Sequence, residues 1–128
     1  MRFSIPIKHF SVEEIMCLCG CGIYNINSNS LMMLDLLRDS LGYPLHLNSA
    51  CRCRSHNLLI GGSETSSHIS TNDKCSYAFD VRVKNDLMRF DVVKKAIELG
   101  FNRIGVYKTF VHLDNDVNKP SAVWYGHK

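Results

Sequence analysis

Three residues in this chain carry donor groups that together can hold a metal ion. His68 and Asp80 stand at opposite ends of the stretch S-S-H-I-S-T-N-D-K-C-S-Y-A-F-D, and His112 lies within F-V-H-L-D. Neutral imidazoles and a carboxylate suit Zn²⁺, and three protein ligands leave a fourth position open to water. Such an ion lowers the pKa of bound water to roughly 7 and polarises a carbonyl. Asp80 enters the start of an apolar run, where an unpaired carboxylate would be costly. That favours a ligand role over an incidental charge. Isolated histidines are ordinarily surface or core residues, and His9, His46 and His127 are read that way; His56 is read as structural.

Asp114 stands two residues after His112. On a strand the two side chains share a face, because side chains alternate. Asp114 is therefore a candidate general base for an attacking water, or a group that orients a ligand imidazole. The plain alternative is a strand end in solvent beside Asp116. Arg52 offers a planar guanidinium that can bind a carboxylate through two hydrogen bonds; by spacing alone it also reads as part of a basic surface run with Arg54.

The elements that must position these residues follow from periodicity and capping. Residues 1–10 suit an extended arm. Ser11 and Glu14 form a capping box for a short helix, which Gly20 and Gly22 keep short. Leu31–Leu41 reads as a helix capped by Ser28 or Ser30 and ended by Gly42. Its apolar face is Leu31, Leu34, Leu37 and Leu41, with Asp35, Arg38 and Asp39 toward water. Met32 and Met33 read as core filler. Pro44–Asn48 alternates like a strand, and Arg54–Leu59 can form a short helix stopped by Gly61-Gly62. Ala78–Val83 reads as a strand. Asn85 or Asp86 can start a helix to about Leu99, with Phe90, Val93, Ala96 and Ile97 as its apolar face. Strands Arg103–Tyr107, Phe110–Asp114 and Ala122–Tyr125 complete the order. The fold class is α+β: a small antiparallel sheet flanked by helices.

At 128 residues the chain is expected to be one domain, 1–128. Apolar content of 45% and charged content of 21% are ordinary for a globular chain. A net charge of +3 does not argue for nucleic acid, although it suits an anionic polymer. No apolar run reaches membrane-spanning length. Met1 to Lys8 lacks the apolar stretch and cleavage site of a secretory signal, so synthesis in a cytoplasm is expected. The chain is expected to be a monomer.

Six cysteines, at 17, 19, 21, 51, 53 and 75, are even in number. Without a secretory signal, reduced thiols are the default. They read as small buried hydrophobes, with disulfides or a separate thiolate metal site as alternatives.

Four segments, in order, resemble the zinc D-Ala-D-Ala carboxypeptidase family of peptidoglycan peptidases, the M15 clan that includes the Hedgehog signalling fold. They are Phe10 to Gly22 with its C-x-C-G-C-G; Asn48-Ser49-Ala50-Cys51-Arg52 with His56-Asn57 and Gly61-Gly62; Ser66-Ser67-His68 with Ala78-Phe79-Asp80; and Gly105-Val106-Tyr107 with F-V-H-L-D and Trp124 beyond. The resemblance implies a Hedgehog/DD-peptidase-like fold and a zinc ion on His68, Asp80 and His112. It also implies Arg52 as the anchor of a substrate carboxylate and a peptidoglycan stem peptide as substrate. Ser66 reads as a hydrogen-bonding, substrate-contacting residue near the site and Tyr107 as a group that steadies the oxyanion, with a purely structural role as the alternative for each; Trp124 reads as packing.

Two departures stand out. His68 and Asp80 are twelve positions apart where the family pattern has seven, so residues 71–75 read as an insertion that would bring Cys75 near the metal. The position three before His112, acidic in many relatives, is Thr109, which leaves Asp114 as the candidate base. The expected activity is zinc-dependent hydrolysis of a stem-peptide bond, as a D,D-carboxypeptidase or an endopeptidase acting at the cell wall. A lysin-like protein without an export signal also suggests a phage-derived gene. The alternatives are a catalytically weak, zinc-containing cell-wall binding module of the same fold, and a domain organised by its cysteines.

Overall fold

The computed structural model describes residues 1–126; His127 lies outside the described residues. The order of elements is α1 (Val12–Ile15), α2 (Ser28–Leu41), β1 (Leu47–Ser49), α3 (Arg54–Leu59), β2 (Ala78–Arg82), α4 (Asp86–Leu99), β3 (Arg103–Val106), β4 (Phe110–Asp114) and β5 (Ala122–Tyr125). The strands form one sheet in the order β1-β2-β4-β3-β5. The architecture is α+β with helices flanking the sheet, as expected. Three neighbouring pairs are antiparallel, and the outermost pair, β3 with β5, is parallel. The sheet is therefore mixed.

One face of the sheet is the core. Phe79 and Val81 of β2, Ile104 of β3, and Val111 and Leu113 of β4 are fully buried against Leu31, Leu34 and Leu37 of α2 and Val92 and Ala96 of α4. Alternation along each strand sends the intervening residues, Asp80, Gly105, His112 and Asp114, to the other face. The core thus fixes the register of the site, because a one-residue slip would exchange the two faces.

The capping box of α1 forms as the sequence indicates, with Ser11 and Glu14 each satisfying the other's backbone amide. Gly42 and Gly100 end α2 and α4 in the left-handed conformation. The cap of α2, however, is Asn27, whose side chain accepts from Ser30 N; Ser28 and Ser30 lie within the first turn. Asp35 does not face water. It is buried, and it accepts from the backbone amides of Lys8 and His9, tying the N-terminal arm to α2. Met33 packs on the core, whereas Met32 is exposed. The buried stripe of α4 is Val92 and Ala96, flanked by Met88 and Leu99. Phe90 and Ile97, assigned above to the apolar face, are exposed. Both assignments give acceptable helical spacing, and docking against α2 selects the i, i+4 row through Val92. The strand read at Pro44–Asn48 is shorter and later, at Leu47–Ser49.

Candidate metal centre

A single row across the sheet carries the site. Ser49 of β1 pairs with Asp80 of β2, Asp80 with His112 of β4, His112 with Gly105 of β3, and Gly105 with Trp124 of β5. Two residues along, Ala78, Asp114, Arg103 and Ala122 form the next row on the same face. His68 comes from outside the sheet, in the segment after α3. Bridges between Arg52 and Ile69 and between Ile26 and Ser76 hold that segment.

One donor atom from each of His68, Asp80 and His112 falls within 4.8 Å of the others. The outer contacts of the rings show which atoms these are. His68 Nδ1 lies 2.7 Å from Ala50 O. A carbonyl only accepts, so Nδ1 carries the proton and Nε2 presents a lone pair. That Nε2 is buried and, among the described residues, has no hydrogen-bond partner, although Asp80 Oδ1 is 3.2 Å away. A lone pair facing a carboxylate oxygen is resolved by a cation between them. His112 is held in the mirrored way: Nε2 contacts Asp114 Oδ2 at 2.6 Å, and Nδ1 faces Asp80 Oδ1 at 3.1 Å. His68 Nε2, His112 Nδ1 and Asp80 Oδ1 therefore converge. Two imidazoles and a carboxylate, each imidazole fixed through its other nitrogen, fit Zn²⁺.

The electrostatics agree. Burial pushes the His68 imidazolium down, keeping the ring neutral as a ligand must be. Burial would also raise the Asp80 carboxyl, but the adjoining His68 and His112 rings hold it well below the usual carboxylate range. For His112, burial opposes the charged ring, yet its hydrogen bonds to Asp114 and Asp80 raise its pKa overall. Metal binding would displace the proton on Nδ1.

The donors open into a cleft of about 270 Å³ lined by Arg52, Ser66, Arg103, Tyr107, Lys119 and Trp124 among others. The Arg52 guanidinium donates to Ser49 Oγ, Asn57 Oδ1 and Asp80 Oδ2, the last at 3.5 Å. Its backbone is also fixed, with Arg52 N donating to His68 O and Arg52 O accepting from Ser70 N. Trp124 Nε1 donates to Tyr107 Oη at 3.0 Å, and the Trp124 ring lies 5.3 Å from that of His112. Among the described residues, Arg52, Arg103 and Lys119 bring cationic groups to this lining.

The family model described as Peptidase M15 matches residues 8–114. The chain belongs to the peptidase M15 family. The matched segment contains all three metal donors, Arg52 and Asp114, and ends before β5. Among curated proteins, none matches the chain.

Membership makes this a peptidase, and the donor set fits the zinc dependence of that family. The structure brings the residues singled out from sequence into one cleft: His68, Asp80, His112, Asp114, Arg52, Ser66 and Tyr107 all line it. Ser66 Oγ accepts from His68 N, fixing the backbone that carries the ligand. Thr109 is exposed and is not part of the lining. The insertion does not separate His68 from Asp80. Residues 71–75 close on themselves as a turn, with Thr71 N bonded to Lys74 O and Thr71 Oγ1 accepting from Asp73 N and Lys74 N. Asn25 caps this turn by donating to Thr71 O. Cys75, at the end of this turn, is neither in the donor group of His68, Asp80 and His112 nor in the lining of the cleft.

Sequence reasoning missed Arg103, Lys119 and the Ala50 carbonyl. Arg103 lies 3.0 Å from Asp114 and stacks over Trp124, and its pairing follows only from the β3–β4 register. A backbone carbonyl gives no sequence signal at all.

Proposed function

We propose that this M15 peptidase holds Zn²⁺ on His68, Asp80 and His112 and hydrolyses a peptide bond of peptidoglycan stem peptides, most simply a terminal D-Ala-D-Ala bond. The reading rests on the convergence of His68 Nε2, Asp80 Oδ1 and His112 Nδ1, with the outer ring nitrogens engaged by Ala50 and Asp114. Zinc bound there supplies Lewis-acid polarisation of the scissile carbonyl and acidifies water.

The protein's own groups do the remaining work. Arg52, Arg103 and Lys119 bring cationic groups to the cleft, each beside a carboxylate (Asp80, Asp114 and Asp116), and the Arg52 fork is the anchor for a substrate carboxylate in this reading. Tyr107 Oη accepts the Trp124 Nε1–H, so its own proton is free to donate to the oxygen that gains charge during attack. Asp114 lines the cleft, but both of its oxygens are committed. Oδ2 meets His112, and Oδ1 accepts from Asp116 N beside Arg103. Its role here is to position His112. Ser66 holds the loop that carries His68.

A second reading is a zinc-containing cell-wall binding module with little catalysis. One observation favours it: the carboxylates among the described lining residues are Asp80 and Asp114, and neither is uncommitted. Incubation with a synthetic stem pentapeptide ending in D-Ala-D-Ala, and separately with purified peptidoglycan, distinguishes the readings by mass analysis. Release of D-Ala identifies a carboxypeptidase, and separation of cross-linked fragments an endopeptidase. Saturable binding without new fragments supports the binding module. Neither binding nor cleavage overturns both.

A further inference from the structure

We propose that Cys17, Cys19, Cys21 and Cys53 form a second metal centre, a closed four-thiolate site for Zn²⁺ that is structural and separate from the catalytic cleft. Their sulfurs all lie within 4.8 Å of one another. Cys17 Sγ is 3.4 Å from Cys19 Sγ, which is 3.6 Å from Cys53 Sγ. Tetrahedral zinc with Zn–S distances of about 2.3 Å places its sulfurs roughly 3.8 Å apart, so the cluster is close to the size the ion requires. Four soft sulfurs also select zinc over the hard cations.

The backbone is built around these sulfurs. Cys17 N donates to Ile23 O, closing the loop after α1, and Gly20 and Gly22 take positive φ (88° and 82°) within it. These turns fold the C-x-C-x-C segment back on itself, where an extended strand would spread the sulfurs apart. Two backbone amides point at sulfur: Cys53 N at Cys17 Sγ and His56 N at Cys53 Sγ, each at 3.4 Å. Amide donors of this kind stabilise the charge that sulfur carries as a ligand. Binding converts four thiols to thiolates and releases four protons to solvent, with no change of oxidation state. Cys19 and Cys21 are exposed, which gives the ion a path in.

The position of the cluster explains what it would do. Cys53 directly follows Arg52, and Cys51 N donates to Ile15 O at the end of α1. Ala50, whose carbonyl orients His68, is three residues before Cys53. Clamping Cys53 to the 17–21 loop therefore fixes the segment that presents Arg52 and Ala50 to the catalytic centre. Cys51 and Cys75 stand apart from the cluster, with Cys51 Sγ against Ser76 Oγ.

The test is the zinc content and thiol state of the full chain purified under reducing conditions without chelator. Wild type is expected to carry about two zinc ions per chain, and Cys19→Ser/Cys21→Ser about one, as does His68→Ala. Only the cysteine variant should lose the thiolate-to-cobalt charge-transfer band after Co²⁺ replaces zinc. Should that variant fail to fold, wild type alone decides. Alkylation followed by peptide mapping must show Cys17, Cys19, Cys21 and Cys53 protected with metal bound and reactive after chelation. A wild-type chain whose cobalt form lacks the band, or whose four cysteines map as disulfides or alkylate equally with and without metal, overturns the proposal. Loss of zinc in the His68 variant alone would leave the catalytic reading intact and remove this one.

Discussion

Asp114 Oδ2 sits 2.6 Å from His112 Nε2, and this contact turns the other ring nitrogen toward Asp80. Asp114 itself is fully buried and braced by Arg103 and the Asp116 amide. A carboxylate held this way sets the tautomer and direction of a ligand imidazole.

Asp114→Asn keeps the shape and removes the charge. The variant is expected to bind zinc about 10–100-fold more weakly while staying folded. Chelator competition measures this directly. Unchanged zinc affinity with lost turnover would instead make Asp114 a base.

Gly105 is the residue that lets Trp124 lean over His112. A Cβ there would stand 2.6 Å from Trp124 Nε1 and 2.7 Å from Cε2, and the rigid indole would have to move. Gly105→Ala is therefore expected to break the Trp124–Tyr107 hydrogen bond and lower turnover, with zinc content preserved. Overpacking of this kind costs about 1–3 kcal/mol. Tryptophan fluorescence and metal analysis on one sample separate displacement of the ring from loss of the ion.

Arg52→Lys replaces a fork that meets Ser49, Asn57 and Asp80 with a single ammonium. Leaving such buried acceptors unmet costs about 1–3 kcal/mol of stability. KM for a peptide with a free C-terminal carboxylate should rise more than kcat falls. The same peptide amidated at its C-terminus should show little difference between wild type and variant. Equal losses on both peptides would remove Arg52 as the carboxylate anchor.

The site was legible from sequence where a side chain announces its own chemistry. His68, Asp80, His112 and Arg52 could each be named from residue type and motif, and strand alternation placed His112 and Asp114 on one face. The partners could not be read. Whether Asp114 faces solvent, water or a ring depends on Arg103 arriving from β3, and which His68 nitrogen faces the metal depends on the Ala50 carbonyl. In the fold, capping by Ser11, Gly42 and Gly100 was plain because it is local. The face of α4 was not, since Phe90–Ile97 and Val92–Ala96 share helical spacing and only the packing of α2 separates them. Asp35 read as a surface charge because its partners, two backbone amides of the arm, carry no sequence signature.

Asp116, which is not one of the three metal donors, gives a pH signature of its own. Burial would raise its carboxyl, but bonds from Asn118 and Ser67 and the nearby Lys119 lower it below its ordinary value of 3.8. A carboxyl depressed on folding stabilises the fold above its unfolded pKa, and that contribution disappears as pH falls through the folded value. Asp116→Asn should therefore be less stable than wild type at neutral pH by about 1–3 kcal/mol. The difference should shrink steadily once pH drops below about 4. Urea midpoints of both proteins across that range check the sign; a gap that widened in acid would contradict it.

Hydrolysis by this protein is proposed to depend on metal held by His68, Asp80 and His112. The most direct measurement is cleavage of peptidoglycan stem peptides by wild type and Asp80→Ala, each with metal removed by chelation and then with zinc restored. Wild type is expected to lose cleavage on chelation and regain it with zinc, while Asp80→Ala stays inactive under both conditions. Cleavage by wild type that survives removal of the metal, or cleavage by Asp80→Ala at the wild-type rate, would contradict it.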